Sequence, residues 1–340
     1  MQLIDALVCS TPGRLQLERR PAPRPDPGQA LVRPLRVGIC GTDYHIFEGK
    51  HPFLQYPRVM GHELAVEVVQ APAEANLAPG EICVVNPYLS CGHCIACRAG
   101  KPNCCVDLSV LGVHQDGGMA GLLCIPAAHL IPARGLRADE CASVEFLAIG
   151  AHAVRRAGLT TRDRVLVVGA GPIGLGVALF ARASGADVMV FDRDPERAAE
   201  AQSIVGVSSL APQGDAAEAE EALASGDGFD VVFDATGNQK AMEKGFDFVA
   251  HGGRYVLVSV IKGSITFLDP DFHRKEMTLF GSRNATAEDF ERVMAAIRDR
   301  VVPVDRLITH RTSLADAARN IPLWATRKTG LIKALIQIGE

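Results

Sequence analysis

A glycine-rich loop between a short apolar strand and a helix is the feature that most constrains how this chain can fold. Val165–Val168 is rich in β-branched residues, which is typical of a buried strand in a parallel sheet. It is followed by Gly169-Ala170-Gly171-Pro172-Ile173-Gly174, which opens a segment compatible with a helix. In a G-x-G-x-x-G loop the first glycine makes a tight turn, the second admits a pyrophosphate, and the third lets helix and strand pack closely. Because the helix N-terminus presents free N–H groups to phosphates, these six residues are predicted to bind a dinucleotide.

An acidic residue at the end of the next predicted strand indicates which dinucleotide is bound. Asp192 lies 18 residues after Gly174 and directly follows Asp187–Phe191. A carboxylate there can accept hydrogen bonds from the adenosine ribose hydroxyls and would repel a 2′-phosphate, which favours NAD over NADP. Arg193 could instead bind a 2′-phosphate, which would favour NADP. The alternative role for Asp192 is to cap a turn. Three residues lie at the ends of later predicted strands, at the edge where cofactor contacts are expected: Thr236, Val258 and Ser259.

Predicted strands alternate with helix-compatible segments throughout this part of the chain. The later candidates are Val231–Phe233, Tyr255–Val258 and Thr278–Phe280. Such alternation predicts a doubly wound parallel sheet of the α/β class. Roughly the first 150 residues differ, because short apolar runs such as Ala30–Val37 are separated by Pro-Gly and glycine-rich turns and indicate a β-rich domain.

Five of the ten cysteines fall within a short segment. Four of them have the spacing C-x2-C-x2-C-x7-C: Cys91, Cys94, Cys97 and Cys105. Four thiolates at this spacing can surround a tetrahedral zinc, and a closed four-sulfur shell is structural rather than catalytic. Cys104 is an alternative fourth ligand, His93 also lies inside the cluster, and an iron–sulfur cluster is compatible with the same ligands. The isolated cysteines are expected in the core: Cys9, Cys83, Cys124 and Cys141.

A second candidate metal site combines one cysteine, one histidine and one carboxylate. Cys40 begins the segment Cys40-Gly41-Thr42-Asp43-Tyr44-His45, and His62 and Glu63 follow a turn at Tyr56-Pro57. A mixed shell of this kind leaves a position for water or a substrate oxygen, as a catalytic zinc requires. Each residue alone is common in protein cores and surfaces, so the prediction depends on their combination.

Together, these motifs resemble those of the zinc-containing medium-chain dehydrogenases, the superfamily of alcohol, sorbitol and threonine dehydrogenases. The matching segments occur in the family's order: Cys40-Gly41-Thr42-Asp43-x-His45, Gly61-His62-Glu63, the four-cysteine cluster, Val144-Glu145, and the Gly169–Gly174 loop with Asp192. The resemblance implies that zinc acidifies an alcohol and that NAD takes its hydride, so that a secondary alcohol becomes a ketone.

The resemblance also assigns roles to individual residues. It implies that four residues supply ligands to the catalytic zinc: Cys40, His62, Glu63 and Glu145. Thr42 is expected to hydrogen-bond the zinc-bound oxygen, and His45 to pass the proton towards solvent. The chain departs from the pattern at Phe146-Leu147, where many relatives have Pro-Leu, and this change is expected to reshape the pocket.

The fold implied by the resemblance has two domains, as the length of 340 residues also favours. A GroES-like, β-rich catalytic domain is expected over residues 1–146, with a structural zinc lobe at 86–106. A Rossmann domain with a doubly wound parallel sheet is expected to bind NAD over residues 147–283, and residues 284–340 return to complete the catalytic domain. Two zinc ions and NAD are the expected cofactors.

A further similarity indicates the substrate class. His273-Arg274-Lys275-Glu276 and Gly281-Ser282-Arg283-Asn284-Ala285-Thr286 are similar to segments of hexonate 5-dehydrogenases, such as those acting on L-galactonate or L-gulonate. This favours oxidation of a polyol or sugar acid, with Arg283 or Lys275 binding a substrate carboxylate or the cofactor phosphates. A solvated charged face is the alternative for Arg274 and Lys275. The competing hypotheses are a threonine or simple alcohol dehydrogenase and a non-catalytic, NAD-sensing zinc protein.

Charge and hydropathy favour a small-molecule substrate over other partners. The net charge of −4 disfavours a nucleic-acid module or binding to an anionic membrane. No apolar run reaches about 18 residues, and Met1–Ser10 lacks a basic segment followed by a long apolar one. We therefore expect a cytoplasmic protein, and the family resemblance implies a homodimer or homotetramer.

Overall fold

The chain leaves its first unit once, builds a second unit and then returns to the first. The computed structural model describes residues 2–50, 54–212, 221, 223, 226–327 and 329–338. The first unit consists of the described residues of Met1–Glu145 and Thr286–Glu340, and the second of those of Phe146–Ala285.

The part of the first unit that precedes residue 146 is built mainly from strands. These are β1 (Leu3–Thr11), β2 (Arg14–Pro21), β3 (Gln29–Ile39), β4 (Arg58–Val59), β5 (Glu63–Gln70), β6 (Ile82–Val85), β7 (Tyr88–Leu89), β8 (Ser109–Val110), β9 (Leu123–Pro126) and β10 (Leu130–Pro132). Short α-helices accompany them among the described residues: α1 (Gly41–Phe47), α2 (Ile95–Arg98) and α3 (Ala138–Cys141). A longer helix, α4 (Val144–Ala157), begins in this unit and continues into the second.

The second unit alternates strands and helices around one parallel sheet. Its strands are β11 (Arg164–Val168), β12 (Asp187–Phe191), β13 (Ser208–Leu210), β14 (Phe229–Asp234), β15 (Val249–Leu257) and β16 (Thr278–Gly281). Its further described helices are α5 (Pro172–Ala183), α6 (Pro195–Val205), α7 (Gln239–Lys244) and α8 (Asp269–Arg274). The strand order β13-β12-β11-β14-β15-β16, with parallel pairing throughout, is that of a Rossmann sheet. The predicted doubly wound α/β domain is therefore confirmed.

One strand of this sheet is longer than the sequence predicted. β15 begins at Val249 and ends at Leu257, whereas the apolar pattern indicated only Tyr255–Val258. His251 and Gly252 are exposed, and Gly253 adds no side chain. These residues interrupt the apolar run. The hydrophobic pattern therefore predicts only the second, buried half of the strand and not its first residues.

The returning segment completes the large sheet of the first unit. It contains α9 (Ala287–Arg298), α10 (Val304–Leu307), β17 (Ile308–Ser313), α11 (Leu314–Thr326) and β18 (Lys333–Gln337). β18 pairs with β3 on one side and β17 on the other, in the order β10-β6-β5-β3-β18-β17, and β9 also pairs with β3. β3 therefore separates β5 from β18, so the first residues of those two strands lie on opposite sides of the end of β3.

Each unit has its own apolar interior, whose burial is the main source of its stability. The largest fully buried side chains of the first unit include Leu7, Ile46 and Met60, and those of the second include Tyr255 and Phe248. Across the described ranges, no helix combines the length and hydrophobicity that a bilayer crossing requires.

Candidate active site and metal centres

A buried carboxylate fixes Cys40 where β3 ends and α1 begins. Cys40 is the N-cap residue of this helix, and Oδ2 of Asp43 accepts its backbone N–H at 2.9 Å. Asp43 is fully buried, and burial raises its pKa while the nearby His62 opposes that shift. The Cys40 thiol lies 3.8 Å from Oγ1 of Thr42, which is half-buried in the first turn of the helix. His45 lies one turn further on and is exposed.

His62 and Glu63 are brought next to Cys40 by the turn that leads into β5. The ligand atoms of these three residues all lie within 4.8 Å of one another. Gly61 precedes them at φ +99°, and a Cβ there would lie 2.7 Å from Val37, so this turn requires glycine. Nδ1 of His62 is buried and has no hydrogen-bond partner among the described residues.

The electrostatics of this cluster suit a bound cation. Burial alone would lower the pKa of His62, but the Cys40 sulfur and neighbouring carboxylates, including Glu145, outweigh it and raise that pKa. Acidic groups therefore dominate the electrostatic field around the buried His62. The donor set of sulfur, imidazole and carboxylate is one that zinc prefers, and it fits a zinc ion.

Glu145, at the start of α4, is near enough to His62 and Glu63 to interact with their charges, although it is not one of the three residues whose ligand atoms lie within 4.8 Å. Only 2% of the residue is exposed, and burial raises the pKa of its carboxyl to about 7. Its Oε1 accepts a hydrogen bond from the Tyr88 hydroxyl, whereas its Oε2 has no partner among the described residues. A buried carboxylate oxygen without a donor is costly unless another group, such as a metal ion, satisfies it.

Glu63 differs from Glu145, because both of its carboxylate oxygens accept hydrogen bonds. Nζ of Lys333, which is only 2% exposed, lies 2.7 and 2.8 Å from them and 3.2 Å from the carbonyl oxygen of Ile39. Burial would lower the pKa of Lys333, but Glu63 outweighs it and the pKa is raised. The pair crosses β3 at Gly38, where a Cβ would lie 2.0 Å from Oε2 of Glu63. A glycine in the central strand thus makes room for the ion pair.

The four predicted cysteines form a separate cluster. The sulfur-to-sulfur distances are 3.5 Å for Cys94–Cys97, 3.4 Å for Cys91–Cys105 and 3.9 Å for Cys94–Cys105, and all four thiols are free. A tetrahedral zinc with Zn–S bonds of about 2.3 Å separates its sulfurs by about 3.8 Å, so the cluster fits one zinc ion. Cys105 is in the cluster, whereas Cys104 is exposed and outside it.

In the second unit the glycine-rich loop joins β11 to α5 as its motif predicts. Gly169 has φ +98°, Gly171 is the N-cap residue of α5, and Pro172 and Ile173 open the helix. A Cβ on Gly174 would lie 1.8 Å from the carbonyl oxygen of Gly169, so no other residue fits there. Beside the loop, the carboxylate of Asp192 accepts the N–H of Ala170 at 2.7 Å and that of Asp194 at 2.9 Å, and Arg193 between them is exposed.

The other predicted cofactor residues meet at the carboxyl ends of β14 and β15. Asp234, which is fully buried, accepts hydrogen bonds from the hydroxyls of Thr236 and Ser259 at 3.0 and 2.8 Å. Ser259 in turn accepts the N–H of Gly237 at 2.8 Å. Val258 lies between the strand end and Ser259, and its N–H bonds the carbonyl oxygen of Asp234 at 3.0 Å.

Comparison with known proteins identifies the family of the chain. Residues 26–135 match the alcohol dehydrogenase GroES-like domain, and residues 172–299 match the zinc-binding dehydrogenase family. The chain is 42% identical to L-galactonate-5-dehydrogenase of Escherichia coli K12 over 99% of both chains. It belongs to the zinc-containing medium-chain dehydrogenases. As a member of that family it is an oxidoreductase that uses zinc and a nicotinamide dinucleotide to oxidise an alcohol group.

Solved structures of related dehydrogenases have the same fold. A zinc-binding dehydrogenase from Sinorhizobium meliloti bound to NADP superposes with a TM-score of 0.91 at 27% identity, covering 99% of this chain and 100% of the other. An alcohol dehydrogenase from Escherichia coli CFT073 complexed with NADH gives 0.91 at 27% identity, covering 98% and 99%. The GroES-like and Rossmann architecture is therefore confirmed.

Two residues of the dehydrogenase that sequence reasoning overlooked contact the candidate zinc ligands. Tyr88 and Lys333 lie 57 and 270 residues from the carboxylates they bind. A lysine at the start of the apolar strand Lys333–Gln337 was a signal for a buried partner, because lysine is seldom fully buried unless paired. Tyr88 carried no comparable signal.

Lys275 and Arg274, two basic residues in the segment similar to hexonate dehydrogenases, have partners within the second unit. The ammonium of Lys275 donates to the carbonyl oxygens of Asp247 and Val249 at 3.1 and 2.8 Å, and burial lowers its pKa. Arg274 pairs with Asp271 at 3.1 Å, and Arg283 is exposed. Lys275 therefore holds backbone within its own unit, which argues against a role in binding substrate.

Proposed function

We propose that this dehydrogenase oxidises a secondary hydroxyl of a sugar acid, a hexonate such as L-galactonate or L-gulonate, to a ketone and transfers the hydride to NAD. The observation that carries the proposal is the 42% identity, over 99% of both chains, to an L-galactonate-5-dehydrogenase. Identity maintained over both domains supports a common reaction class, and it also makes a common substrate class the most economical hypothesis.

We propose that Cys40, His62 and Glu145 hold the catalytic zinc, with Glu63 as a nearby carboxylate that can approach it. The unpartnered Oε2 of Glu145 and the occupied oxygens of Glu63 support this order of the two carboxylates. Zinc bound there supplies a Lewis acid that lowers the pKa of a substrate hydroxyl. The second zinc is proposed to be held by the four cysteines: Cys91, Cys94, Cys97 and Cys105.

Thr42 and His45 are proposed to move the proton that leaves the substrate. Thr42 carries a hydroxyl beside Cys40, so it can accept a proton from a substrate hydroxyl and donate its own onward. His45 lies one helical turn further on and is exposed, so its imidazole can release a proton to solvent.

We propose NAD rather than NADP as the acceptor. Asp192 is fixed by two backbone N–H groups at the carboxyl end of β12, where a 2′-phosphate would meet its negative charge. The proposed contacts to the cofactor come from the glycine-rich loop with Pro172 and Ile173, from Asp192 and Arg193, and from the strand ends at Thr236, Val258 and Ser259. The two units are proposed to act as the catalytic and the NAD-binding domain.

Steady-state assays with NAD test the substrate proposal directly. We expect the highest kcat/KM for a hexonate in a panel that also contains pentitols, threonine and ethanol. A higher value for threonine or ethanol would reject the hexonate in favour of those substrates. A zinc-loaded protein that is inactive on the whole panel would instead support an NAD-sensing role.

We further propose a cytoplasmic homodimer or homotetramer. All ten cysteines are free, as a reducing compartment requires, and oligomers are usual in this family. Light scattering after gel filtration measures the mass of the assembly, and a monomer at micromolar concentration would reject this part of the proposal.

A further inference from the structure

We propose that Tyr88 is a positioning residue for the catalytic metal site: its hydroxyl holds one oxygen of Glu145 so that the other faces the metal. The inference depends on the proposed function only in taking Glu145 as a zinc ligand. It concerns a residue that does not itself belong to the donor set, and it makes a separate prediction about metal affinity.

The ring of Tyr88 packs against a neighbouring ring, and its backbone is fixed by a hydrogen bond. It lies in β7, is 6% exposed, and packs edge-on against Phe290 of α9, with ring centroids 6.3 Å apart and planes at 79°. Oδ1 of Asn86 accepts the backbone N–H of Tyr88 at 3.1 Å. Since Phe290 is fully buried, the phenol ring has little freedom to move. The position of its hydroxyl is therefore fixed as well.

The hydroxyl of Tyr88 donates a hydrogen bond to one oxygen of a buried carboxylate. A phenol hydroxyl has one proton to donate, and here Oε1 of Glu145 accepts it. Without this bond the carboxylate could rotate about its last torsion, which is broad and roughly two-fold in glutamate. With it, Oε1 is occupied and the unpartnered Oε2 is the atom left to bind a metal. Partners of this kind orient metal ligands, and losing one typically weakens metal binding 10- to 100-fold.

Tyr88→Phe is the direct test, because it removes the hydroxyl and keeps the ring that packs on Phe290. Zinc-loaded protein is titrated with a chelator, and the zinc that each chain retains is measured by elemental analysis. The four-cysteine cluster serves as an internal reference within the same unit. We expect the catalytic site to lose zinc at about 10- to 100-fold lower chelator concentration, while the four-cysteine site keeps its affinity.

Tyr255→Phe is the matched control. Tyr255 is likewise a buried tyrosine, and its hydroxyl donates to the carbonyl oxygen of Met242 at 2.8 Å, in the second unit. This variant removes a comparable buried hydrogen bond without touching Glu145, so its catalytic zinc affinity should equal that of the unmodified protein. A second readout is the visible spectrum of cobalt bound at the catalytic site, which should shift in Tyr88→Phe and not in the control.

The outcomes separate this inference from the proposed function. A selective loss of catalytic zinc with a shifted cobalt spectrum supports the positioning role. Unchanged affinity in Tyr88→Phe, or an equal loss at both metal sites, overturns it while the proposed function stands. If the unmodified protein binds only the four-cysteine zinc, both the inference and the proposed catalytic site are rejected.

Discussion

At the scale of single residues, the candidate site depends on a glycine as much as on its ligands. Gly38 leaves the gap in β3 through which Glu63 and Lys333 form their ion pair. A buried pair of this kind contributes little net stability compared with an apolar replacement, but it is costly to break on one side. We propose that the pair serves to keep a second carboxylate, paired with a cation, close to the proposed metal site.

Lys333→Met should therefore be strongly destabilising. Methionine removes the ammonium and leaves the Glu63 carboxylate buried without a partner, at a cost of about 3–5 kcal/mol in the free energy of unfolding. Urea denaturation measures the change in the free energy of unfolding. Arg33→Met is the control, because Arg33 of β3 pairs at 2.8 Å with Glu67 of β5, the strand that also carries Glu63, but with 48% and 31% of the side chains exposed. That variant should cost less than about 1 kcal/mol, and equal costs would contradict the interpretation.

Gly174→Ala should weaken binding of NAD. The added Cβ would lie 1.8 Å from the carbonyl oxygen of Gly169, so the loop backbone must move away from the position that receives the pyrophosphate. We expect the dissociation constant for NADH, measured by fluorescence, to rise about tenfold or more. Gly263→Ala is the matched control in the same unit, since the nearest atom to its Cβ, Oε1 of Gln239, would be 3.9 Å away. Tight NADH binding by the Gly174 variant would show that the loop tolerates the shift.

At the scale of elements, one carboxylate ties together three segments that are far apart in the sequence. Asp139 of α3 accepts from Arg36 of β3 at 2.8 Å and from Arg311 of β17 at 2.9 Å. Burial raises the pKa of Asp139, but hydrogen bonds from the two arginines outweigh it and hold that pKa below its usual value. The returning segment is thus joined to the first part of its unit by charge as well as by strand pairing.

The stabilisation that Asp139 provides should depend on pH. A carboxyl whose pKa is lower in the folded state stabilises the fold fully above its unfolded pKa, about 3.9, and loses this effect as the pH falls through the folded pKa. Asp139→Asn should therefore cost about 1–2 kcal/mol at pH 7 and progressively less as the pH falls below about 3.9, measured by urea denaturation. Asp5→Asn, which disrupts a pair whose side chains are 65% and 51% exposed, should show little change at either pH. A cost for Asp139→Asn that does not depend on pH would contradict this explanation.

Local patterns predicted the elements that are regular and buried, and missed those that depend on distant contacts. β12 was predicted with its observed ends because Asp187–Phe191 combines β-branched residues with a sharp polar boundary. The first half of β15 was not, because its glycines and exposed histidine belong to a strand only through their neighbours. Likewise, motifs predicted Cys40, His62, Glu63 and Glu145 as ligands, and this stays a prediction. The contacts of Tyr88 and Lys333 arise from packing between segments that no local pattern connects.

At the scale of the whole molecule, the order of segments along the chain is part of how the site is built. The ligand-bearing segments around Cys40 and His62 come from the first part of the chain, and Glu145 opens the helix that leads into the second unit. Lys333, which neutralises Glu63, comes only from the last strand. The returning segment therefore supplies the partner of a carboxylate beside the proposed metal site, although it supplies none of the proposed ligands.

Zinc content linked to turnover tests the central claim most directly. A chelator is used to remove the catalytic zinc while elemental analysis confirms that one zinc per chain, in the four-cysteine cluster, remains. NADH formation from L-galactonate is then followed before removal, after removal and after zinc is returned. We expect two zinc ions per chain in the active protein, loss of turnover with the first ion removed, and recovery when it is restored. Full turnover by protein that retains only the four-cysteine zinc would contradict the claim.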